Sequence, residues 1–408
     1  MCSKFMDVEA VRRDFPLFSS AEKDSIYLDS ACQSLRPRQV IAAQNEYYCD
    51  YPACGGRSVH RLATQVSIKM DEARERVKTF FNASRLEEIV FTKNCTEALN
   101  QVAKGLPLKK NDVVVTTDME HNSNHVPWLQ MQMTKGVKRR FIKTPDSGLF
   151  DIEAFKSKMS REVKVVSVVH TNNVTGTSVP VKDITEIAHD RGALVVIDGA
   201  QAAPHQKVDL KDLDIDFYTI SVHKMLGPSG VGILYGKFEL LAELEPLISG
   251  GGSVSLTDFD RAEYLPPPER FEAGLMNYSG VIGAGAAVDY LAKIGMGEVE
   301  AHDRLLNARA TSRLKDTPSI TILRPLEAEH RGSILSFNIT GMTSHDVAMI
   351  LDDVGKVMVR SGMHCVHPFF LSHKINGCAR ASFYIYNTIE ECDRFTELVT
   401  EVASKFSR

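Results

Sequence analysis

The sequence predicts an α/β fold, with a mostly parallel sheet in a large domain and a smaller α+β domain beside it. Short apolar runs alternate with amphipathic helical stretches from about residue 60 onward. These runs are almost continuously apolar, which is typical of parallel strands covered by helices on both faces. After a Gly- and Pro-rich segment at 249–274 this alternation stops and a different order of helices and strands begins.

Six apolar runs are the predicted strands of the large domain. They are rich in valine and isoleucine, which favours strands over buried helices of the same length. The runs are EIVFT (88–92), DVVVTT (112–117), VKVVSVVHT (163–171), ALVVID (193–198), DFYTIS (216–221) and VGILYG (231–236). The helical patterns between them include QVSIKMDEARERVKTFF (65–81), TEALNQVAKGL (96–106) and VKDITEIAHDRG (181–192).

The segment 249–274 is predicted to be a functional loop that leads into a connecting helix near 280–294. The smaller domain is predicted from helices at 297–316 and 387–405, with strands near 318–323, 332–340 and 357–361. The predicted division places residues 20–290 in the large domain, and residues 1–19 and 291–408 in the smaller one. A chain of 408 residues is long enough for two such cores.

Composition excludes several classes of function. The formal net charge of −4 argues against nucleic acid or an anionic membrane as the main partner. The N-terminal residues show no apolar signal region, and no run of about 18 uncharged apolar residues predicts a membrane span. The 8 cysteines are dispersed without a CxxC pair, so we expect a cytoplasmic protein with reduced thiols.

Polar side chains follow five of the predicted strands directly, where ligands of open α/β sheets bind. They are Thr96, His121, Asn172, Asn173, Asp198, Gln201, Ser221, His223 and Lys224. Each has an ordinary alternative: Thr96 and Asp198 could be helix caps, Lys224 a solvated lysine and His121 a satisfied polar residue. An aspartate and a lysine that each follow an apolar strand weaken those alternatives when taken together.

The chemistry that suits this set is that of pyridoxal 5'-phosphate (PLP). A lysine binds the aldehyde of this cofactor, and an acid paired with the pyridine nitrogen allows the ring to accept electrons. The phosphate favours a helix N-terminus with a hydroxyl group, which Thr96 supplies.

The chain also resembles a known family, the class V aminotransferase-fold enzymes, and most closely the SUF-type (group II) cysteine desulfurases. The resemblance runs in order from about residue 10 to 405. The motifs that carry it are IYLDSA (26–31), MEHNSNHVPW (119–128), NNVTG (172–176), IDGAQAAPHQKVDL (197–210), SVHKMLGPSGVGILY (221–235), SGGGS (249–253), RFEAG (270–274) and ARASFYIYNT (379–388).

This resemblance implies fold type I of the PLP-dependent transferases, with a seven-stranded sheet, and a role for each matching residue. Lys224 would bind PLP and move the substrate's α-proton, and Asp198 would pair with the pyridine nitrogen. Gln201 would bond the phenolic oxygen, and His121 would stack on the ring. Around the phosphate we expect Cys95, Thr96, Ser221 and His223, with Tyr278 and Ser279 from a neighbouring subunit. For the substrate we expect Asn173, Arg380, Arg360 and His60.

The segment VRSGMHCVHPFF (359–370) places Cys365 between two histidines. A closed zinc site needs four ligands, and the side chains of adjacent residues 364 and 365 point apart on an extended segment. A plain buried thiol is the other alternative. The favoured reading is a nucleophile, because Arg360, His364 and His367 could favour a thiolate. The resemblance also implies a compact loop with a sheltered thiol.

By resemblance, the enzyme would convert L-cysteine to L-alanine and hold the sulfur as a persulfide on Cys365. A sulfur acceptor protein or a SUF-type scaffold for iron–sulfur cluster assembly would take the sulfur, and a homodimer would be the working form. A selenocysteine lyase and a class V lyase or epimerase stay open as alternatives. So does a cofactor-binding sulfur-relay protein without turnover.

Three positions depart from the family pattern. Met363 stands where the family commonly has a histidine. In LMNYSG (275–280), Tyr278 and Ser279 replace a Thr-Gly pair whose threonine reaches the neighbouring subunit's phosphate. Cys95 replaces a threonine and so exchanges a strong hydrogen-bond donor for a weak one.

Overall fold

The structure, a computed structural model, describes residues 6–56 and 58–406. Its α-helices are α1 Val8–Arg13, α2 Arg38–Asp50, α3 Arg61–Phe80, α4 Cys95–Gly105, α5 Asn122–Lys135, α6 Ile152–Lys158, α7 Val181–His189, α8 Leu210–Leu213, α9 Phe238–Glu243, α10 Tyr278–Ile294, α11 Met296–Leu314, α12 Ser344–Gly355, α13 His367–Ser372 and α14 Ile389–Phe406. Its strands are β1 Ile26–Tyr27, β2 Ile89–Thr92, β3 Val113–Thr117, β4 Lys138–Ile142, β5 Val163–Val169, β6 Leu194–Asp198, β7 Phe217–Ser221, β8 Gly232–Gly236, β9 Val254–Thr257, β10 Ala262–Tyr264, β11 Ile320–Ile322, β12 Ile334–Ile339, β13 Val357–Met358, β14 Arg360–Gly362 and β15 Cys378–Ser382.

The large sheet has seven strands in the order β2-β8-β7-β6-β5-β3-β4. Strand β8 runs antiparallel to both of its neighbours, and every other pair in this sheet is parallel. The predicted α/β class with a mostly parallel seven-stranded sheet is therefore confirmed. All six predicted strands are present, with ends within two residues of the predicted bounds.

Both faces of this sheet are buried. Along β6, Val195 and Ile197 pack into one apolar cluster, whereas Val196 between them packs into another. Alternate residues of a strand point to opposite faces, so each face has its own layer of helices. This two-sided burial explains why the strands read as continuous apolar runs.

The sequence patterns missed strand β4, Lys138–Ile142 (KRRFI). It lies at the edge of the sheet, where only β3 pairs with it. Charged side chains are common on edge strands because one side of the strand faces solvent. An edge strand therefore lacks the apolar pattern by which the other strands were found.

A second sheet, antiparallel and in the order β11-β12-β15-β14, forms the smaller α+β part together with α11, α12 and α14. It has its own apolar core, which includes Leu306, Phe337 and Phe395. That core also takes in Leu28, which follows β1, whereas Phe15 packs in the core of the large sheet. The division at residues 20 and 290 stays a prediction.

The segment 249–274 contains an exposed hairpin, β9 with β10, that the sequence patterns had indicated only as a loop. The connecting helix is α10, which is largely buried and packs against α2 and α3. Within the described residues, no helix combines the length and apolar character needed to cross a membrane.

Two glycines allow backbone segments to approach closely beside the ends of the strands. A Cβ at Gly199, directly after β6, would lie 2.1 Å from the ring of Tyr218. A Cβ at Gly232 would lie 2.4 Å from the backbone of Asn94, the N-cap of α4. Any side chain at either position would displace the chain that carries Asp198 or the N-terminus of α4.

Candidate active site

A cavity of about 440 Å³ lies where strands of the large sheet end against β14, β15 and the loop after β14. Most of the residues that the sequence assigned to a site line it. They are Cys95, Thr96, His121, Asn173, Asp198, Gln201, Ser221, His223, Lys224, Arg360, Cys365 and Arg380. Three others, His60, Tyr278 and Ser279, do not line this cavity in the single chain.

Asp198 and Lys224 are the two charged groups at the floor of the cavity. Asp198 is the last residue of β6 and only 3% exposed, and its Oδ1 accepts from the Ala200 N–H at 3.0 Å. Lys224 ends the 3₁₀ turn that follows β7. Burial lowers the pKa of the Lys224 amine, and attraction to Asp198 offsets part of that shift. The lysine is therefore easier to deprotonate than one in water.

The Cys95 thiol is directed at Asp198. Its Sγ lies 3.2 Å from Asp198 Oδ1 and 3.0 Å from Thr219 Oγ1. Burial, followed by the Asp198 charge, raises the pKa of the Cys95 thiol. The thiol is thus a neutral donor to the carboxylate in this structure, whereas the sequence predicted donation to a phosphate. The cofactor-binding role of Cys95 stays a prediction.

Hydroxyl groups and His121 converge at the N-terminus of α4. Thr96 Oγ1 lies 2.7 Å from Ser123 Oγ, which in turn lies 2.9 Å from His121 Nδ1. Burial, followed by the Lys224 charge, lowers the pKa of His121 to about 4. The imidazole is therefore neutral at pH 7. A neutral ring is compatible with the predicted stacking of His121 on an aromatic cofactor. From the sequence, Ser123 had no assigned role at the site, because a serine in the first turn of a helix, here α5, is common.

Several buried polar atoms at the cavity have no partner. These atoms are Oε1 of Gln201, Oδ1 of Asn173 and Nε of Arg380. Gln201 and Asn173 are held in place from elsewhere, since Gln201 Nε2 donates to the Ala31 carbonyl and Asn173 Nδ2 to the His364 carbonyl. Buried polar groups are normally bonded, so their lack of a partner indicates room for a polar ligand. Together with the lysine, the carboxylate and the hydroxyls, this donor set fits PLP.

Arg380, on β15, is 2% exposed and is oriented by two contacts. Its Nη1 donates to the Asn173 carbonyl at 2.9 Å, and its Nη2 lies 3.3 Å from Asp29 Oδ1. Arg360 faces Arg380 across the β14–β15 pair, and its Nη1 lies 3.4 Å from Asp29 Oδ2. Asp29 therefore orients both arginines. The sequence placed Asp29 in the motif IYLDSA without assigning it this contact.

Cys365 lies on a tight loop between β14 and α13. His364 and Cys365 have φ angles of +46° and +58°, which is unusual for two consecutive residues other than glycine. The Cys365 carbonyl accepts from the Asn122 N–H at 2.7 Å, which fixes the loop against the N-terminus of α5. In the single chain Cys365 is exposed, so the expected shelter of its thiol would have to come from a second subunit.

The histidine beside this thiol is not a cation. His364 is buried, and its Nε2 lies 3.1 Å from the Cys378 carbonyl oxygen. Burial, followed by the Arg380 charge, lowers the pKa of His364 to about 3. His364 is therefore neutral at pH 7, and its predicted assistance to a Cys365 thiolate cannot come from a positive charge. Of residues 6–56 and 58–406, no three His, Cys, Asp or Glu side chains form a group that could hold a metal ion.

The three residues outside the cavity have structural contacts elsewhere. His60 is exposed and caps α3, accepting from the Ala63 N–H. Ser279 Oγ lies 3.0 Å from Tyr48 Oη, and Tyr278 Oη lies 3.4 Å from the Gly55 carbonyl oxygen. A role for any of them at a PLP site requires a second subunit.

Buried neutral histidines should make folding sensitive to acid. His170 lies at the end of β5 with Nδ1 3.0 Å from Tyr218 Oη, and burial lowers the pKa of His170 to about 4. The unfolded chain binds a proton at His170 below about pH 6.5, whereas the folded chain does so only near pH 4. The contribution of His170 to the free energy of unfolding is therefore fully present above about pH 6.5 and is lost as the pH falls towards 4. We expect His170→Gln to reduce the pH slope of the unfolding free energy by ~1.2 kcal/mol per pH unit between pH 6 and pH 5.

Urea unfolding of both proteins at those two pH values measures this slope. Glu120 opposes the trend, because burial raises the pKa of its carboxyl to about 8, but it does so in both proteins. The difference between the two slopes therefore isolates His170, and equal slopes would contradict the prediction.

The fold and the cavity define an α/β protein whose site is built around a lysine, a buried carboxylate and a buried arginine. The class V aminotransferase family model matches residues 26–395. The chain belongs to this family.

Individual relatives cover almost the whole chain. A probable cysteine desulfurase of Streptomyces coelicolor is 39% identical over 411 residues, which covers 98% of each chain. A cysteine desulfurase of Haloferax volcanii is 38% identical over 420 residues and covers 98% of each chain. The apo structure of a cysteine desulfurase from Thermococcus onnurineus NA1 is 39% identical, with a TM-score of 0.93, covering 99% of this chain and 100% of that one.

Proposed function

We propose that this chain is a PLP-dependent cysteine desulfurase that converts L-cysteine to L-alanine and keeps the sulfur as a persulfide on Cys365. The observation that carries the proposal is one cavity lined by Lys224, Asp198, Arg380 and Cys365 together. Relatives that cover nearly the whole chain and bear the name cysteine desulfurase support it. The SUF-type subgroup, and a cytoplasmic location, are part of the same proposal.

PLP, when bound, accepts into its ring the electron pair left by the substrate's Cα–H bond. Asp198 would keep the pyridine nitrogen protonated, because a carboxylate buried beside it favours the cationic form. Thr96, Ser221 and His223 would hold the phosphate at the N-terminus of α4. Lys224 would bind the aldehyde and carry the α-proton, for which a lowered amine pKa is an advantage.

Arg380 would bind the substrate carboxylate. A guanidinium offers two parallel N–H groups to a carboxylate, and Arg380 is already fixed by Asn173 and Asp29. Arg360 would add a second positive charge at the outer side of the same pocket.

Cys365 would take the sulfur. Its thiolate attacks the substrate sulfur, a bond forms between the two sulfur atoms, and the Cβ–S bond of the substrate breaks. The electron pair of that bond stays with the three-carbon fragment, which gains protons and leaves as alanine. Oxidation of the sulfur and reduction of the carbon fragment balance, so the step needs no external oxidant. An acceptor protein or SUF-type scaffold would then receive the sulfur.

A homodimer is included in the proposal. His60, Tyr278 and Ser279 lie outside the cavity of their own chain, and the phosphate site would be completed by Tyr278 and Ser279 of a second copy. Apolar side chains near them, such as Val59 and Leu275, are 95% and 76% exposed in the single chain. These exposed apolar side chains, close in sequence to His60 and Tyr278, are available for contact with a partner.

The direct test supplies the PLP-loaded protein with L-cysteine and measures alanine, followed by mass spectrometry of the Cys365 peptide. We expect alanine and one added sulfur atom on Cys365. L-Selenocysteine serves as a parallel substrate: much faster turnover with it would favour a selenocysteine lyase. The absence of alanine from both would overturn the proposal.

Substituting Arg380 by lysine should weaken substrate binding while the cofactor stays bound. Lysine keeps the charge but loses the two parallel donors, so we expect KM for L-cysteine to rise about 10- to 100-fold. Steady-state rates and the cofactor's absorbance would be measured together. An unchanged KM would show that Arg380 does not bind the carboxylate.

A further inference from the structure

The thiol of Cys32, which is half-buried, lines the same cavity as Cys365. It lies in the turn after β1, where its N–H donates to the Asp29 carbonyl at 3.0 Å. The steps proposed above use Lys224, Arg380 and Cys365 and leave Cys32 without a role. A thiol in a cavity where a persulfide forms can react with that persulfide.

Arg360 contacts Cys32 and interacts electrostatically with Cys365. Its Nη1 lies 3.0 Å from Cys32 Sγ, and Arg360 is five residues before Cys365 on the same segment. Burial lowers the pKa of Arg360, but attraction to Cys32 and Asp29, and to a smaller extent to Cys365, raises it overall. One guanidinium is thus within electrostatic reach of both sulfur atoms.

A guanidinium contacts the Cys32 sulfur atom. Asp29 is the carboxylate nearest to it along the chain, but Asp29 is shared by two guanidiniums, Arg360 and Arg380. A guanidinium that donates to sulfur stabilises the thiolate, which is the nucleophilic form. Arg380 lines the same cavity, and its Nε is buried without a hydrogen-bond partner. This unpaired donor indicates that the cavity binds a polar ligand.

Other cysteines in residues 6–56 and 58–406 do not share these properties. Cys95 also lines the cavity, but it is buried and donates to Asp198. Cys378 and Cys392 are buried, and burial raises the pKa of each thiol to about 12. Cys49 and Cys54 are exposed and outside the cavity, and Cys49, on α2, is a suitable control.

We propose that Cys32 is an internal sulfur acceptor, a second catalytic thiol that receives the outer sulfur of the Cys365 persulfide. The inference rests on the proposed desulfurase function. The Cys32 thiolate attacks the outer sulfur, and a new S–S bond forms at Cys32 while the S–S bond at Cys365 breaks. The electron pair of that bond returns to Cys365 as a thiolate. The step begins with a persulfide on Cys365 and a thiolate on Cys32, and it ends with a persulfide on Cys32 and a thiolate on Cys365. No oxidant or reductant is therefore consumed.

This transfer frees Cys365 for a second molecule of L-cysteine before any acceptor protein arrives. Without an external acceptor or reductant, the wild-type protein should therefore release about twice as much alanine per subunit in its initial burst as Cys32→Ala does. The expected reduction in that variant is about twofold, with the first turnover retained.

The experiment mixes PLP-loaded protein with L-cysteine, quenches it rapidly, and measures alanine together with the mass of each cysteine peptide under non-reducing conditions. In the wild-type protein we expect one added sulfur on Cys32 and one on Cys365. In Cys365→Ser neither residue should carry sulfur, because Cys32 depends on the first persulfide. Cys49→Ala should behave as the wild type, and Cys32→Ser should behave as Cys32→Ala.

Two outcomes would overturn the acceptor role while leaving the desulfurase function intact. One is sulfur on Cys365 alone, with equal bursts in wild type and Cys32→Ala. The other is a Cys32–Cys365 disulfide with sulfide released, which would mean attack on the inner sulfur. No alanine and no sulfur on either residue in the wild type would instead contradict the proposed function itself.

Discussion

Replacing Lys224 by alanine should abolish alanine formation from L-cysteine, with a loss of more than about 10³-fold in kcat. The amine is the group that the cofactor aldehyde would bind and the group that would carry the α-proton. It sits at the end of the 3₁₀ turn after β7, within electrostatic reach of Asp198. No other lysine lines the cavity in the part of the chain that the structure describes, so none can replace it.

The measurement pairs the rate with a chemical trap. Borohydride reduction of the PLP-loaded wild type should fix the cofactor to the peptide that contains Lys224, and the variant should carry no fixed cofactor. Lys207→Ala is the matched control, because Lys207 is an exposed lysine in the described part of the chain and lies outside the cavity. A variant that retains near-normal turnover, or one with cofactor fixed to another lysine, would rule out this role.

The sequence was most informative where burial on both faces makes strands apolar. Five of the six predicted strands of the large sheet are followed by polar residues that the structure brings to one cavity, Asp198 and Lys224 among them. This succeeds because parallel strands share a C-terminal edge, so the order of apolar run and polar residue carries three-dimensional information. Strand β4 lacks that signal because it lies at the edge of the sheet.

Contacts between distant segments could not be predicted in the same way. The link from Asp29 to Arg360 and Arg380 joins residues more than 330 positions apart, and no local pattern encodes it. The contact between Cys95 and Asp198, which are 103 positions apart, is likewise not encoded by any local pattern. His364 shows a different limit, because its neighbours in sequence suggested a cation but its burial makes it neutral.

The motif RFEAG (270–274), one of those that resemble the family, contains a residue with a structural contact. Glu272 forms two bonds with Arg74 of α3, at 2.8 Å and 2.9 Å, and also accepts from the Phe91 N–H on β2. Arg74 and Glu272 are both buried, so the pair fastens the segment after the hairpin to the large domain.

Replacing Cys365 by serine should stop alanine release while the protein still binds PLP and L-cysteine. A hydroxyl cannot accept the substrate sulfur as a thiolate does, so we expect kcat to fall by more than about 10³-fold. Serine differs by one atom and leaves the Asn122–Cys365 backbone bond available. The loop with positive φ at residues 364 and 365 should therefore keep its shape.

Cofactor absorbance, its change on addition of L-cysteine, alanine release and sulfide release would be measured on the same sample. Cys49→Ser is the matched control, since Cys49 is an exposed cysteine outside the cavity. If Cys365→Ser lost the spectral response to L-cysteine, the residue would be needed for binding, and if it released alanine normally, it would not be the nucleophile. A retained response without alanine places Cys365 at the sulfur-transfer step, because binding by Arg380 and Lys224 precedes its attack.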